Sequence, residues 1–371
     1  MLSFHPLKVT SVDGIAEDAV CVTLAIPDTL REKFNFDAGQ YVTVRRVIGG
    51  REERRTYSIV TPPGGSALRL GVREQFGGRM SHELATQIRP GDTLEVGTPL
   101  GRFRTSVDPA RTRSYVAFAA GSGITPVLSL ATDILAREPM SRFTLIYGNR
   151  SMARTMFLED TLALKNRYLG RFSVHFVMSR EPQQTALLNG RIDAAKVQEL
   201  ARQIVDIATA DEYFVCGPGC MVDEVRDAIK RLNGNAPVRF ERFVADGARP
   251  SADASRAGAL QGARTGSAAE AAPAVPRVLA TVSVLMDGRR RSFTMTPGDS
   301  SVLEAGEHAG LELPFSCRSG ICATCRARIV AGKAVMSHNI ALQPWEIDAG
   351  FVLCCQARPT TAALELSYDE K

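Results

Sequence analysis

The sequence predicts three domains: an antiparallel β-barrel over residues 1–106, an α/β domain with a parallel sheet over 107–246 and, after a flexible linker at 247–275, an α+β domain over 276–371. Three observations predict this division. Short runs of alternating apolar and polar residues fill the N-terminal part, and strand and helix patterns then alternate from Ser114 to Phe243. A stretch dominated by Ala, Gly, Ser, Pro and Arg, without any apolar period, separates both from a cysteine-bearing end.

In the first domain, strands are expected at Leu7–Val12, Val20–Ile26, Tyr41–Val47, Ala67–Val72 and Thr93–Val96, broken by turns such as Arg89-Pro-Gly-Asp92. One helix, Met80–Ile88, interrupts them. In the second domain, strands Tyr115–Ala120, Phe143–Tyr147, Phe172–Met178 and Tyr213–Cys216 alternate with helices near 126–137, 156–164, 193–205 and 219–232. Such alternation calls for a parallel sheet covered on both faces, with ligands at the C-terminal ends of its strands. Beyond the linker, Val278–Met286 and Arg290–Met295 read as a hairpin around Asp287-Gly288, Val302–His308 as a short helix and Ala327–Val330 as a strand.

Composition narrows the function. Apolar residues make up 44% and charged residues 23% of 371 positions, which is ordinary globular usage. No apolar run reaches the roughly 18 residues a spanning helix needs, so no membrane role is expected. The net charge of +5 is mild and dispersed, which argues against a nucleic-acid partner. The N-terminus lacks a signal peptide's basic start and long apolar core, so a cytoplasmic location is expected. In that compartment eight cysteines point to metal ligation or redox chemistry rather than disulfides.

Within the barrel, Arg55-Thr-Tyr57-Ser58 is expected at the start of a strand, and Gly77-Gly78-Arg-Met-Ser81 opens the predicted helix. An arginine fork suits phosphate, a tyrosine ring stacks on a flat heterocycle and a hydroxyl bonds a ring nitrogen or carbonyl. Glycines at a helix start expose N–H groups at the positive end of the dipole, an anion seat. Each feature alone fits an ordinary strand or turn; their pairing in one barrel is what points to a cofactor. The R-x-Y-S and G-x-x-S motifs resemble those of the flavin domain of the ferredoxin-NADP reductase superfamily. That resemblance implies FAD, favoured over FMN, with Tyr57 on the isoalloxazine and Ser58 at its polar edge. It also implies phosphates held by Arg55 and the start of the helix at Gly77, Gly78 and Ser81.

Gly121-Ser122-Gly123-Ile-Thr125-Pro126 follows the first strand of the α/β domain. Its glycines admit a pyrophosphate to the backbone, Thr125 can cap the helix and Pro126 fits its first turn. Thr-Pro replaces the third glycine of the usual dinucleotide fingerprint; G-x-G-x-T/S-P is the superfamily's own form. Cys216-Gly217-Pro218 resembles the superfamily's nicotinamide-side motif, although Cys216 alone equally suits a buried core position. Phe240-Glu241-Arg-Phe243 closes the domain, either as a plain final strand or, as in the family, against the flavin; Ser58, Cys216 and Glu241 then stand near the flavin-nicotinamide contact. Ser179-Arg180-Glu181 resembles the segment that reads the 2′-phosphate, and Arg150 offers a second guanidinium, so NADPH is favoured over NADH.

Cys317, Cys322 and Cys325 are spaced C-x4-C-x2-C, and Cys355 follows later. Three soft ligands on one loop with a remote fourth fit the plant-type [2Fe-2S] pattern rather than paired zinc ligands. The resemblance to plant-type ferredoxins implies the β-grasp fold for this domain. Cys354 and Cys355 are adjacent, and successive extended side chains point to opposite faces, so one of them is expected to reach the irons. Resemblance to the ferredoxin segment Y-V-L-x-C assigns Cys355. Arg318, Arg326 and Arg328 make the loop unusually basic: a solvated rim, or a docking patch for an acidic partner.

Together these sites describe a relay from NAD(P)H through a flavin to the cluster, in which cofactors carry the chemistry and no catalytic side chain is nominated. Across nearly its whole length the chain resembles reductase subunits of the phenylacetyl-CoA epoxidase family, which implies di-iron oxygenase subunits as electron acceptor. The domain order is shared with steroid-hydroxylase reductases and with FMN-bearing phthalate-type reductases that feed Rieske oxygenases. A non-catalytic redox or zinc-binding adaptor is the reading of another class.

Overall fold

The computed structural model describes residues 3–234, 236–243 and 279–370. The expected linker at 247–275 and Val278 lie outside them. The chain forms two compact units, Ser3–Gly247 and a C-terminal one.

The first unit begins with a six-stranded antiparallel sheet. Its strands are β1 (Phe4–Ala16), β2 (Ala19–Ala25), β3 (Tyr41–Ile48), β4 (Arg51–Ser58), β5 (Ala67–Arg73) and, after helix α1 (Arg79–Thr86), β6 (Thr93–Gly97), in the order β4-β3-β6-β1-β2-β5. A bridge between Ile59, just past β4, and Leu70 of β5 brings the two edges together into a barrel. Leu7, Val22, Leu24, Val42, Val44, Leu68 and Leu70 fill its interior. Burying each such side chain contributes about 1.5–3 kcal/mol.

β4 is longer than the sequence pattern suggests, so Arg55–Ser58 ends this strand rather than starting it. Its N-terminal half, Arg51-Glu-Glu-Arg-Arg, carries no apolar alternation to announce a strand. The charges are matched across and along the ladder instead, with Arg45 close to both Glu52 and Glu95.

The same unit continues as a five-stranded, all-parallel sheet. Strands β7 (Ser114–Ala120), β8 (Arg142–Asn149), β9 (Phe172–Met178), β10 (Glu212–Pro218) and β11 (Val238–Phe243) lie in the order β11-β10-β7-β8-β9. Helices α2 (Ile124–Arg137), α3 (Leu158–Arg167), α4 (Ala194–Gln203) and α5 (Gly219–Leu232) connect them. Tyr115, Phe143 and Phe214 stack along the sheet, with ring centroids 6.1–6.2 Å apart.

Barrel and parallel sheet share one hydrophobic cluster, in which Cys21, Ala38 and Val60 meet Ile124, Val127 and Phe157. Gly71 on β5 makes room for this seam, because a Cβ there would come within 2.6 Å of the Phe157 ring. Arg69 clamps it from the side, with Nη1 2.6 Å from Asp160 Oδ1.

The C-terminal unit is a five-stranded mixed sheet of order β13-β12-β18-β14-β16. Its members are β12 (Ala280–Met286), β13 (Arg289–Met295), β14 (Arg326–Ala331), β16 (Phe351–Leu353) and β18 (Ala363–Ser367). A two-stranded ribbon, β15 (Ala334–Met336) with β17 (Ala357–Pro359), and helices α6 (Val302–His308) and α7 (Pro344–Asp348) complete it. The β12–β13 hairpin turns at Asp287 (φ 53°) and Gly288 (φ 70°), the pair of positive values a type I′ turn requires. The edge strand β13 exposes Arg289, Arg290 and Arg291. Ser301 accepts the Glu304 N–H and caps α6. No helix among the described residues is long and apolar enough to cross a membrane.

Candidate functional site

A cavity of about 1240 Å³ opens in the first unit, lined by the β5–α1 turn on one side and the C-terminal ends of the parallel strands on the other. Gly77 and Gly78 face it from the barrel, and Gly121, Ser122, Arg150, Ser179, Pro218 and Phe243 face it from the sheet. These eight predicted residues come together although they are scattered over the sequence. Arg55, Tyr57, Ser58, Ser81, Gly123, Thr125, Arg180, Cys216 and Gly217 do not line it.

Most of those nine buttress the lining. Ser81 is buried, donates to the Gly78 carbonyl at 3.1 Å and accepts the Gln75 N–H at 3.1 Å, closing the glycine turn on itself. Gly77 has φ 73°, and a Cβ on Gly78 would lie 2.5 Å from Ser81 Oγ. Arg55 stands 3.2 Å from Glu53, whose other oxygen is 3.3 Å from Arg79 of α1. One nearly buried carboxylate thus holds together two guanidinium groups, one of which, Arg79, lines the cavity. Tyr57 packs against the barrel core, and Ser58 lies opposite Tyr41 in the ladder.

At the parallel sheet, Gly121–Gly123 forms a tight turn before α2, with Gly121 at φ 57°. A Cβ on Gly123 would sit 2.1 Å from the Cys216 carbonyl oxygen, so this glycine lets β7 and β10 end side by side. Thr125 does not cap α2 as expected: the helix already starts at Ile124, and Thr125 is buried in its first turn, donating Oγ1 to the Ser122 carbonyl at 2.9 Å. Arg180 is placed by its backbone, its N–H on the Arg150 carbonyl at 2.9 Å.

Cys216 is wholly buried opposite Glu241. Burial, with the neighbouring Glu241 charge adding to it, pushes its thiol well above the usual range, so it stays protonated. Burial also lifts the Glu241 carboxyl to about 7. Its Oε2 has no hydrogen-bond partner among the described residues.

The sequence gives no sign of a second charged group in this cavity. Asp18, Arg73 and Arg154 line it together: Arg73 Nε is 3.6 Å from Asp18 Oδ1, Arg154 also reaches Asp18, and Arg73 comes close to Gly121. Arg191, beside Gly190 after the β9 loop, is a further cation at the rim. None of these four follows a recognisable motif; they meet through folding of distant segments. Turns that present N–H groups and φ-positive glycines, ringed by arginines, suit the phosphates of flavin and nicotinamide nucleotides.

In the C-terminal unit, Cys317, Cys322 and Cys325 lie on one loop and Cys355 just beyond β16. Arg318 (φ 54°), Gly320 (φ 73°) and Ala323 (φ 55°) adopt left-handed backbone there. Two strained non-glycine residues within one short loop turn its N–H groups inward. The sulfurs stand as two pairs. The Cys322 thiol and the N–H groups of Ser319, Ile321 and Cys322 point at Cys317 and bring it down to about 6. The Cys325 thiol, the Gly320 N–H and the Gln356 amide lower the Cys355 thiol below its usual range. Two pairs of thiolates suit two irons. The buried Ser316 hydroxyl, next to Cys317, has no partner among the described residues.

Cys354 is fully buried within the apolar cluster, its thiol pushed up to about 12 by burial, with the Tyr368 hydroxyl beside it. The basic loop is not a free patch. Arg318 is paired with Glu307 at 2.6 Å, Arg326 with buried Glu346 at 3.1 Å and Arg328 with Glu370 at 3.2 Å.

Comparisons with known proteins agree with this geometry. Family models for an oxidoreductase FAD-binding domain, an oxidoreductase NAD-binding domain and a 2Fe-2S iron-sulfur cluster binding domain match residues 6–105, 118–227 and 284–360. The chain is 36% identical to the E subunit of 1,2-phenylacetyl-CoA epoxidase from Escherichia coli K12, over all of this chain and 99% of that protein. It is 31% identical to the ferredoxin reductase component of 3-ketosteroid-9-alpha-monooxygenase from Rhodococcus rhodochrous, over 98% and 96%. The solved structure of phthalate dioxygenase reductase covers 98% of both chains at a TM-score of 0.58 and 24% identity, and so shares the fold. The chain therefore belongs to the family of FAD-, NAD(P)H- and [2Fe-2S]-dependent reductase components of oxygenases that includes the phenylacetyl-CoA epoxidase reductase subunit.

Proposed function

We propose that this protein is the NADPH-dependent reductase of a phenylacetyl-CoA epoxidase system, working in the cytoplasm and delivering electrons to di-iron oxygenase subunits. The observation that carries the reductase chemistry is the shared cavity: the glycine turn of the barrel and the glycine turn of the parallel sheet line a single space. The choice of oxygenase rests on the full-length similarity to the epoxidase E subunit. The cytoplasm suits eight cysteines without a disulfide.

Residues 1–106 would hold FAD, with Arg55, Tyr57, Ser58, Gly77, Gly78 and Ser81 forming its seat. Residues 107–246 would take NADPH at Gly121, Ser122, Gly123 and Thr125, with Arg150, Ser179 and Arg180 toward the 2′-phosphate and Cys216, Gly217, Pro218 and Phe243 toward the nicotinamide. Cys317, Cys322, Cys325 and Cys355 would bind the cluster. Once bound, the nucleotide supplies a hydride, the flavin divides that electron pair and the cluster carries electrons singly. The chain's own part is to position and to exclude water: the Arg55–Glu53–Arg79 bridge fixes the barrel side of the cavity, and buried Cys216 supports the other without reacting.

Mixing the purified protein with NADPH under anaerobic conditions tests the relay, and adding the epoxidase oxygenase subunits with phenylacetyl-CoA tests the partner. Flavin and cluster bands that bleach, followed by epoxide formation, are expected. Bleaching by NADH at an equal or better rate removes the 2′-phosphate roles, and bleaching without epoxide removes the partner.

A further inference from the structure

We propose that Gln356 is a positioning residue for the cluster, donating its side-chain amide to the Cys355 sulfur and thereby raising the reduction potential of the centre. The inference rests on Cys355 being the fourth ligand.

Gln356 directly follows that cysteine and is only 8% exposed. Its Nε2 lies 2.8 Å from the Arg318 carbonyl oxygen and 3.6 Å from Cys355 Sγ. A carbonyl oxygen can only accept, so the nitrogen end of the amide must face Arg318, which leaves its second N–H for the sulfur. The backbone is fixed on both sides, its N–H on the Leu353 carbonyl at 2.8 Å and its carbonyl accepting the Ser337 N–H at 3.0 Å. The side chain also passes beneath the ligand loop, where a Cβ on Gly320 would lie 3.2 Å from Gln356 Cγ. Burying an amide's donors costs stability unless they are used, and here one N–H of Nε2 holds the loop and the other the ligand.

The consequence follows from charge. Reduction adds one negative charge to a centre already ligated by four thiolates, and a hydrogen bond to a ligand sulfur stabilises the more negative state. Unlike the N–H groups of Ser319, Cys322 and Gly320, this donor is a side chain, so it can be removed without rebuilding the backbone.

The full chain carrying its cluster provides the test. Gln356→Met keeps the length and removes the donor. We expect unchanged iron and sulfide content, a more negative midpoint potential and shifted EPR g-values of the reduced centre. A midpoint and g-values matching the unaltered protein overturn the proposal. Should the methionine variant fail to hold its cluster, Gln356→Leu, which also lacks the donor, is read the same way and against the same criterion. An unaltered centre in Cys355→Ser would instead overturn the ligand assignment beneath it.

Discussion

Arg326 and Glu346 form an enclosed ion pair beside Cys325. Arg326 Nε is 3.1 Å from Oε1 of Glu346, whose side chain is fully buried, and the guanidinium lies 3.7 Å over the Phe351 ring. Arg326 follows Cys325, so the pair joins the cysteine loop to α7. Removing one partner of such a pair strands a charge in the interior, at a cost of about 3–5 kcal/mol. Glu346→Ala is therefore expected to lower the unfolding free energy of the C-terminal unit by about 3 kcal/mol, followed in urea by loss of visible absorption. A change below about 1 kcal/mol would show the pair to be solvated.

The contact of Gly123 with the Cys216 carbonyl makes a second prediction. Gly123→Ala must push β7 and β10 apart at their C-terminal ends. We expect a loss of about 2 kcal/mol or more in the first unit and a KM for NADPH raised about tenfold or more. The cluster absorption should stay as it is, since it belongs to the other unit.

The two neighbouring cysteines are expected to separate cleanly. Cys355→Ser should abolish or strongly alter the visible spectrum. Cys354→Ser should keep it while costing about 1–2 kcal/mol, because a hydroxyl replaces a thiol inside an apolar cluster. Iron content and absorption of the two variants decide; the reverse pattern exchanges their roles.

Glu241 predicts a pH dependence. Burial raises its carboxyl from 4.5 to about 7. A carboxyl whose folded value exceeds its unfolded one favours the fold most strongly below about 4.5, and that contribution is lost as pH rises through about 7. The melting temperature of the first unit should fall as pH rises from about 4.5 to about 7 and level off above it, and Glu241→Gln should flatten the slope. The glutamine variant should be about 1–2 kcal/mol more stable at pH 8, allowing for the partial exposure of the residue. Parallel slopes in the two proteins would mean that Glu241 is ionised throughout.

The parts most legible in the sequence were those set by short-range chemistry. The hairpin at Asp287-Gly288, the helix Val302–His308 and the cysteine spacing each follow from a few neighbouring residues. Less legible were features that depend on partners far away in the chain. The charged half of β4 has no apolar period, because its side chains are satisfied across the ladder. The meeting of Asp18, Arg73 and Arg154 joins three separate segments, and Arg326 looked like surface because nothing near it in sequence reveals Glu346. Thr125 failed as a helix cap because the preceding turn, Gly121–Gly123, already leads into the helix.

The three arginines on β13 bear on how two copies of the chain could meet. An edge strand leaves a row of backbone donors and acceptors open to any extended segment that arrives. A second molecule offering the same strand would set Arg289, Arg290 and Arg291 against a like set, and Glu365, already reached by Arg290, offers that second set little relief. Like charges at such an edge disfavour pairing of two copies through it.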